Sequence, residues 1–238
     1  MQEEKLEDFT VIKSRFSVFE KDGTRYILKD MKPTAFSGEC KKVHDLILEY
    51  VSKVRQAEIP MPEIEYSHLE DNAIKCICKY VGRNLVQEFG SNDLIDLVKK
   101  HHDVLEEVVK NIKKAQEANL FIDPHIKNFT IDNNKLYYVD FSPPYSEAYN
   151  RMRLEYALES ERDIVRENLD AFSPCQLGYH FAGDLLKEDA RFGEVIEEVY
   201  GLLIGGGVIH DDFKNFLVRA NAIKDVELTR VKREIYLI

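Results

Sequence analysis

Apolar residues recur with two different periods along this chain, and the period changes near Tyr80-Val81-Gly82. Before that point short β-rich runs dominate. Phe9-Thr-Val-Ile12 and Phe16-Ser-Val-Phe19 read as strands, with Lys13–Ser17 between them as a loop. Lys21-Asp22-Gly23 reads as a turn on the strength of its Asp-Gly pair, and Thr24–Lys29 as the next strand. A helix is expected from near Ser37, a good N-cap, because Val43, Leu46, Ile47, Tyr50 and Val51 fall at helical spacing. Ile59-Pro-Met-Pro62 ends that unit. Ile64–Tyr66 and Ala73–Cys78 follow as strands around a turn at Glu70–Asn72.

Beyond Gly82 the pattern is mostly helical. Leu94, Leu97, Leu105, Val108, Val109 and Ile112 share one face of a helix expected over Asp93–Glu117. Further helices are expected over Glu147–Asn168, Gln176–Lys187, Arg191–Leu203 and Asp211–Val226. Gly205-Gly-Gly207 follows a helical pattern and reads as a helix stop. A phosphate loop would need a strand before it and Lys-Ser/Thr after it.

One segment in this second half breaks the helical pattern and carries the candidate chemistry. Phe129–Asp132 and Lys135–Val139 read as the arms of a β-hairpin around Asn133-Asn134, a pair that tolerates the positive φ of a tight turn. With that turn Asp132 faces Lys135, and Asn128 falls opposite Val139. Asp140, one residue beyond, is thereby brought close to Asn128. Facing side chains start roughly 5 Å apart. That suits two oxygen donors sharing one Mg²⁺ at about 2.1 Å each. Asp123 lies just before the hairpin, in position to act as a base. A carboxylate that accepts the proton of an attacking hydroxyl, beside oxygen ligands for a metal-bound triphosphate, is the layout of a phosphoryl-transfer site.

Phe121-Ile-Asp123, Asn128 and Asp140-Phe-Ser142 resemble the catalytic loop and metal-binding Asp of aminoglycoside-phosphotransferase-like small-molecule kinases, which have the protein-kinase-like fold. In order of parts the resemblance runs from about Phe9 to Tyr145. It implies an α+β, bilobal fold. Residues 1–81 would form an N-lobe with a small antiparallel sheet and one helix, and residues 82–238 a mainly helical C-lobe that builds the acceptor pocket. It implies ATP or GTP as cosubstrate and Mg²⁺ held by Asn128 and Asp140. Lys29 would meet the phosphates and pair with a helix glutamate, Glu39, for which Glu49 is the rival. Ile27 would lie beside the adenine, and Lys79, Tyr80 and Val81 would form the hinge that holds the base through backbone groups. His125 would position the loop or contact phosphate, and Lys127 would sit near the transferring group. The implied reaction is phosphorylation of a hydroxyl on a small molecule such as an aminoglycoside-like, sugar or amino-alcohol metabolite. The alternatives are a kinase-fold nucleotide-binding or regulatory protein without catalysis and, lower, a protein or lipid kinase. Three departures bear on activity. Lys13–Ser17 has no glycine, Phe121 stands where the family has histidine, and Ser142-Pro-Pro144 follows Asp-Phe.

Composition narrows the setting. At 238 residues the chain can bury a sizeable core. Its net charge of −10 argues against nucleic acid as the principal partner. The four cysteines are scattered, and Cys76 and Cys78 share one face of an apolar strand as core residues. No run is long enough to span a membrane, and the first residues are charged, so a reduced cytoplasmic protein is expected.

Overall fold

The computed structural model describes residues 12–33, 39–70, 73–88, 98–141, 146–156, 173–188 and 195–236. Strands β1 (Ile12–Lys21) and β2 (Thr24–Pro33) pair along their whole length. Asp22 and Gly23, at φ 52° and 73°, supply the two left-handed residues that a two-residue hairpin turn needs. Helix α1 (Cys40–Gln56) then crosses to β3 (Ile64–Glu70), and β4 (Ala73–Lys79) returns between β3 and β2. The result is a four-stranded antiparallel sheet in the order β1-β2-β4-β3. The apolar stripe of α1 supplies its packing, with Val43, Ile47, Tyr50 and Val54 fully buried.

The register shows which side chains share a face. Phe16, Lys29, Cys76 and Ser67 form one cross-strand row, and Val18, Ile27 and Cys78 form the next. Helix α1 covers the β3–β4 side of this face, where His44 Nε2 lies 2.6 Å from Ser67 Oγ. Phe16 and Val18, at the β1 side, stay 59% and 55% exposed.

The loop expected at Lys13–Ser17 does not exist. These residues pair with Lys32 through Leu28 inside β1. The polar Lys-Ser-Arg run reads as a break, but ladder pairing with β2 carries the chain straight through it. The helix start also moves. Ser37 lies outside the described residues, and α1 begins at Cys40 with Glu39 as its cap. Phe9–Val11 and the turn residues Asp71–Asn72 lie outside the description as well.

The second part opens with the extended link Tyr80–Arg83 and the short helix α2 (Leu85–Glu88). The helix expected over Asp93–Glu117 is interrupted: residues 98–100 are helical, His101 leaves helical geometry at φ −129°, ψ 45°, and helix α3 (His102–Glu117) follows, while Asp93–Leu97 are outside the description. The hairpin β5 (Phe129–Asp132) and β6 (Lys135–Tyr138) comes next. Among the described residues four α-helices follow: α4 (Glu147–Tyr156), α5 (Leu177–Glu188), α6 (Ile196–Gly205) and α7 (Phe213–Tyr236). Residues 157–172, which include most of the second half of the helix expected over Glu147–Asn168, are not described. The glycine run ends α6 as expected, with Gly206 as C-cap and Gly207 at φ 65°. Helix α7 runs ten residues past Val226, since Glu-Leu-Thr-Arg-Val-Lys-Arg-Glu contains no helix breaker. Lys113 Nζ and Gln116 Nε2 of α3 donate to the carbonyls of Gly207 and Val208, at 2.7 and 3.0 Å, and fix the turn after α6.

The architecture is α+β, a small antiparallel sheet with helices, and one continuous apolar core runs from Met31 and Ile47 through Phe121 and Phe141 to Phe216. No helix among the described residues is long and apolar enough to cross a membrane.

Gly82 sets how closely the link approaches the hairpin. Its φ is +89°, and a Cβ placed there would lie 2.3 Å from the carbonyl oxygen of Ile131. Both strain and clash oppose any side chain. Gly23, at φ +73° with nothing within 4 Å of its Cβ position, faces strain alone. Gly82→Ala should therefore cost about 2–4 kcal/mol against roughly 1 for Gly23→Ala in urea unfolding. Equal costs would remove the close approach at Gly82 as a constraint.

Candidate active site

The hairpin forms in the register that its sequence dictates. Asn133 and Asn134 take φ 49° and 61°, Asp132 pairs with Lys135, and Phe129 pairs with Tyr138. The Val139 N–H donates to the Asn128 carbonyl at 2.9 Å, so Asn128 and Val139 stand opposite each other and Asp140 follows directly. The amide and the acid are both half-buried.

The loop before the hairpin is held from several directions. Phe121 and Ile122 are buried, and Ile126–Asn128 form a single 3₁₀ turn. The Asp123 N–H donates to the phenol oxygen of Tyr138 at 3.0 Å. Tyr138 is fully buried, and its own N–H donates to the Pro60 carbonyl at 2.8 Å. Tyr50 of α1 donates its hydroxyl to the Phe121 carbonyl at 3.1 Å. Asn128 Nδ2 donates to the Asp123 carbonyl at 3.3 Å, which closes the loop on itself.

Tyr50 also reports on the charges around it. Its phenol pKa stands well above the usual value of 10.0, first because the group is buried. A hydrogen bond with Tyr138 opposes the rise, while the charges of Asp140 and Asp123 add to it. Both acids therefore lie within electrostatic reach of one buried oxygen.

Lys29 arrives from the sheet. It is only 7% exposed, and its Nζ donates to the Val139 carbonyl at 2.6 Å, across 110 residues of sequence. The ammonium lies 3.8 Å from the centre of the Phe141 ring and 5.5 Å from that of Phe16. Burial pulls its pKa below the usual 10.5, and the charge of Asp140 opposes that pull. Lys29, Val139, Asp140 and Phe141 thus meet at the end of β6.

The other expected residues fall as follows. Glu39, half-buried, caps α1 without a side-chain cap bond, and the hydrogen bond of Lys29 goes to Val139. Glu49 is exposed late in α1 and pairs with Lys53 at 2.6 Å. Ile27 is half-buried between Val18 and Cys78. Lys79 is exposed, Tyr80 lies under the Arg25 guanidinium at 4.6 Å and donates its N–H to the Arg25 carbonyl, and Val81 is buried. Ser142–Tyr145 lie outside the described residues.

Two features were missed in the sequence. Phe16 and Val18 extend the face of Ile27 and Lys29 into an exposed apolar surface, which their alternation in a single strand would have revealed. Asp184 of α5, 2% exposed, meets the loop: its Oδ2 lies 3.4 Å from the Ile126 N–H and its Oδ1 lies 3.4 Å from His125 Nε2. A lone acid inside the apolar run Leu177–Leu186 was the available signal.

Among the described residues no three His, Cys, Asp or Glu side chains gather to hold a metal by themselves. A magnesium ion carried by a nucleotide asks for less, one or two protein oxygen ligands beside phosphates and water. Asn128 and Asp140, as adjacent oxygen donors, fit that lower demand. A groove of about 530 Å³ opens elsewhere, between α1 and the edge strand β3, lined by Leu48, Arg55, Ile64 and Tyr66 among others. None of the loop residues lines it.

No protein-family model matches this chain, and no curated protein matches it.

The depressed pKa of Lys29 has a measurable consequence. Between its folded value and 10.5 the unfolded chain binds more protons than the folded one, so this residue makes stability rise with pH across that window. Below the folded value its contribution is flat. The unfolding free energy of wild type minus that of Lys29→Met should therefore increase as pH is raised towards 10.5. A difference that stays level or falls would show that Lys29 is not held below its usual pKa.

Proposed function

We propose that this chain is an ATP- or GTP-dependent, Mg²⁺-dependent phosphotransferase acting on a hydroxyl of a small molecule, built on a bilobal protein-kinase-like plan with lobes at 1–81 and 82–238. One observation carries the reading: a buried strand lysine, Lys29, reaches the end of the β5–β6 hairpin, where Asp140 follows the partner of Asn128. In the kinase plan a lysine on a sheet strand and a metal-binding Asp act on the same phosphates. The order of elements supports the plan. A sheet interrupted by one helix leads through an extended link to a loop, a hairpin and further helices.

In this reading the base lies on the exposed apolar surface of Phe16, Val18 and Ile27, against the link Lys79–Val81. Lys29 contacts the phosphates and Glu39 is the nearby helix acid. Asn128 and Asp140 hold magnesium, which supplies neutralisation of phosphate charge when bound. Asp123 receives the proton of the acceptor hydroxyl. Its carboxylate is 19% exposed, open enough to meet a substrate yet held by the loop. Most of the rate would come from positioning and charge stabilisation.

A second reading, a kinase-fold nucleotide-binding protein without catalysis, is favoured by two contacts of one residue. The Lys29 ammonium is already engaged by the Val139 carbonyl and the Phe141 ring. A protein or lipid kinase ranks below both.

Asp123→Asn should lower turnover by about 10³-fold or more with nucleotide affinity kept within about threefold. Asp140→Ala should weaken Mg²⁺-nucleotide binding at least about tenfold in calorimetric titration. Unchanged affinity in the second variant removes Asp140 from the metal site. Wild type that binds nucleotide yet phosphorylates nothing in a broad panel of hydroxyl acceptors decides for the second reading.

A further inference from the structure

We infer that Asp184 positions the proposed base Asp123 by acting through His125, an inference that rests on the phosphotransferase reading. Asp184 sits on α5 among fully buried Phe181, Ala182 and Leu185, and is itself 2% exposed. A carboxylate at that depth is costly unless its oxygens are engaged. They divide between two groups of one loop. Oδ2 faces the Ile126 N–H at 3.4 Å, and Oδ1 faces His125 Nε2 at 3.4 Å.

The same imidazole continues the chain on its other side. His125 Nδ1 lies 3.5 Å from Asp123 Oδ1, and the backbone N–H of His125 lies 3.3 Å from that oxygen. A carboxylate–imidazole–carboxylate series therefore runs from α5 to the base. One donor, the His125 N–H, restrains the torsion of the Asp123 carboxyl group. The imidazole meets the two carboxylates at ion-pair separations of 3.5 and 3.4 Å, outside hydrogen-bond geometry. Contacts of this kind tighten when the reacting complex forms. Helix α5 touches the loop a second time through His180, whose ring meets Phe121 edge-on at 5.4 Å, so the helix that carries Asp184 is itself seated against the loop.

His125 is thus a positioning residue. His125→Ala should lower kcat about 30-fold with KM for the nucleotide within about twofold, and Asp184→Asn about tenfold. His125→Asn, whose amide can replace the Nδ1 donor, should recover part of the loss. The double variant should be no slower than His125→Ala alone, because both act through one chain. A merely structural role would instead lower the melting temperature and give multiplied losses.

The second arm needs no turnover. In carboxyl-¹³C and ring-¹⁵N spectra of the full chain, Asp184→Asn should shift both the His125 ring nitrogens and the Asp123 carboxyl carbon. If wild type shows no phosphotransfer, the phosphotransferase reading fails and the spectra still decide whether the chain exists. An Asp123 carboxyl signal unmoved by both Asp184→Asn and His125→Ala overturns the inference. So does a kcat within twofold of wild type in an active enzyme carrying His125→Ala.

Discussion

Tyr138 ties three parts of this molecule together, and the candidate site depends on that junction. Its N–H donates to Pro60, in the segment that leads from α1 to β3. Its phenol oxygen accepts the N–H of Asp123, and its ring packs against Phe129 across the hairpin at a centroid distance of 5.5 Å. A two-stranded hairpin alone is marginal in water. Here the hairpin gains stability because the last residue of β6 is fully buried and bonded to the sheet side on one hand and to the loop on the other. The position of Asp123 is thereby set by a residue of the hairpin that also presents Asp140.

Lys29 adds a second tie with a different energetic character. A buried ammonium costs several kcal/mol in desolvation unless it is well engaged. Burial depresses its pKa and the Asp140 charge opposes that pull, while the Val139 carbonyl and the Phe141 ring engage the ammonium directly. An aliphatic side chain in the same place would pack without that cost. In the proposed reading that cation would meet the phosphates, and the exposed Phe16–Val18 surface beside it would meet the base.

The local pieces were legible in the sequence and the long-range ones were not. The β5–β6 register could be read because Asn133-Asn134 fixes a two-residue turn and everything else follows by counting. Gly82 marked the link, and the glycine run marked the end of α6. Lys13–Ser17 failed as a loop because its polar composition was read locally, while its pairing is decided by the β2 partners Lys32 through Leu28. Glu39 was expected inside the helix, and the actual start at Cys40 leaves it at the cap, a shift of the size that helix boundaries commonly show. Asp184 stood out as a lone acid in an apolar run, but its role could not be read, because helical period tells which face an acid occupies and not which loop, 58 residues earlier, that face will meet.

The same asymmetry explains why the loop holds its shape. Inside it, Asn128 to the Asp123 carbonyl and the His125 N–H to the Asp123 side chain are both 3.3 Å, and the Asn128 N–H to the His125 carbonyl is 2.8 Å. Its external bonds come from Tyr50 of α1, 71 residues away from Phe121, from Tyr138 of β6, and from Asp184 of α5. Lys29 of β2 fixes the far end through Val139. Each neutral bond is worth only about 0.5–1.5 kcal/mol net, so none alone fixes the geometry. Four anchors from four elements determine it together. The loop therefore takes its shape only when sheet, hairpin and α5 are all docked. Loosening any one of them should reach the carboxylate of Asp123 before it reaches global stability.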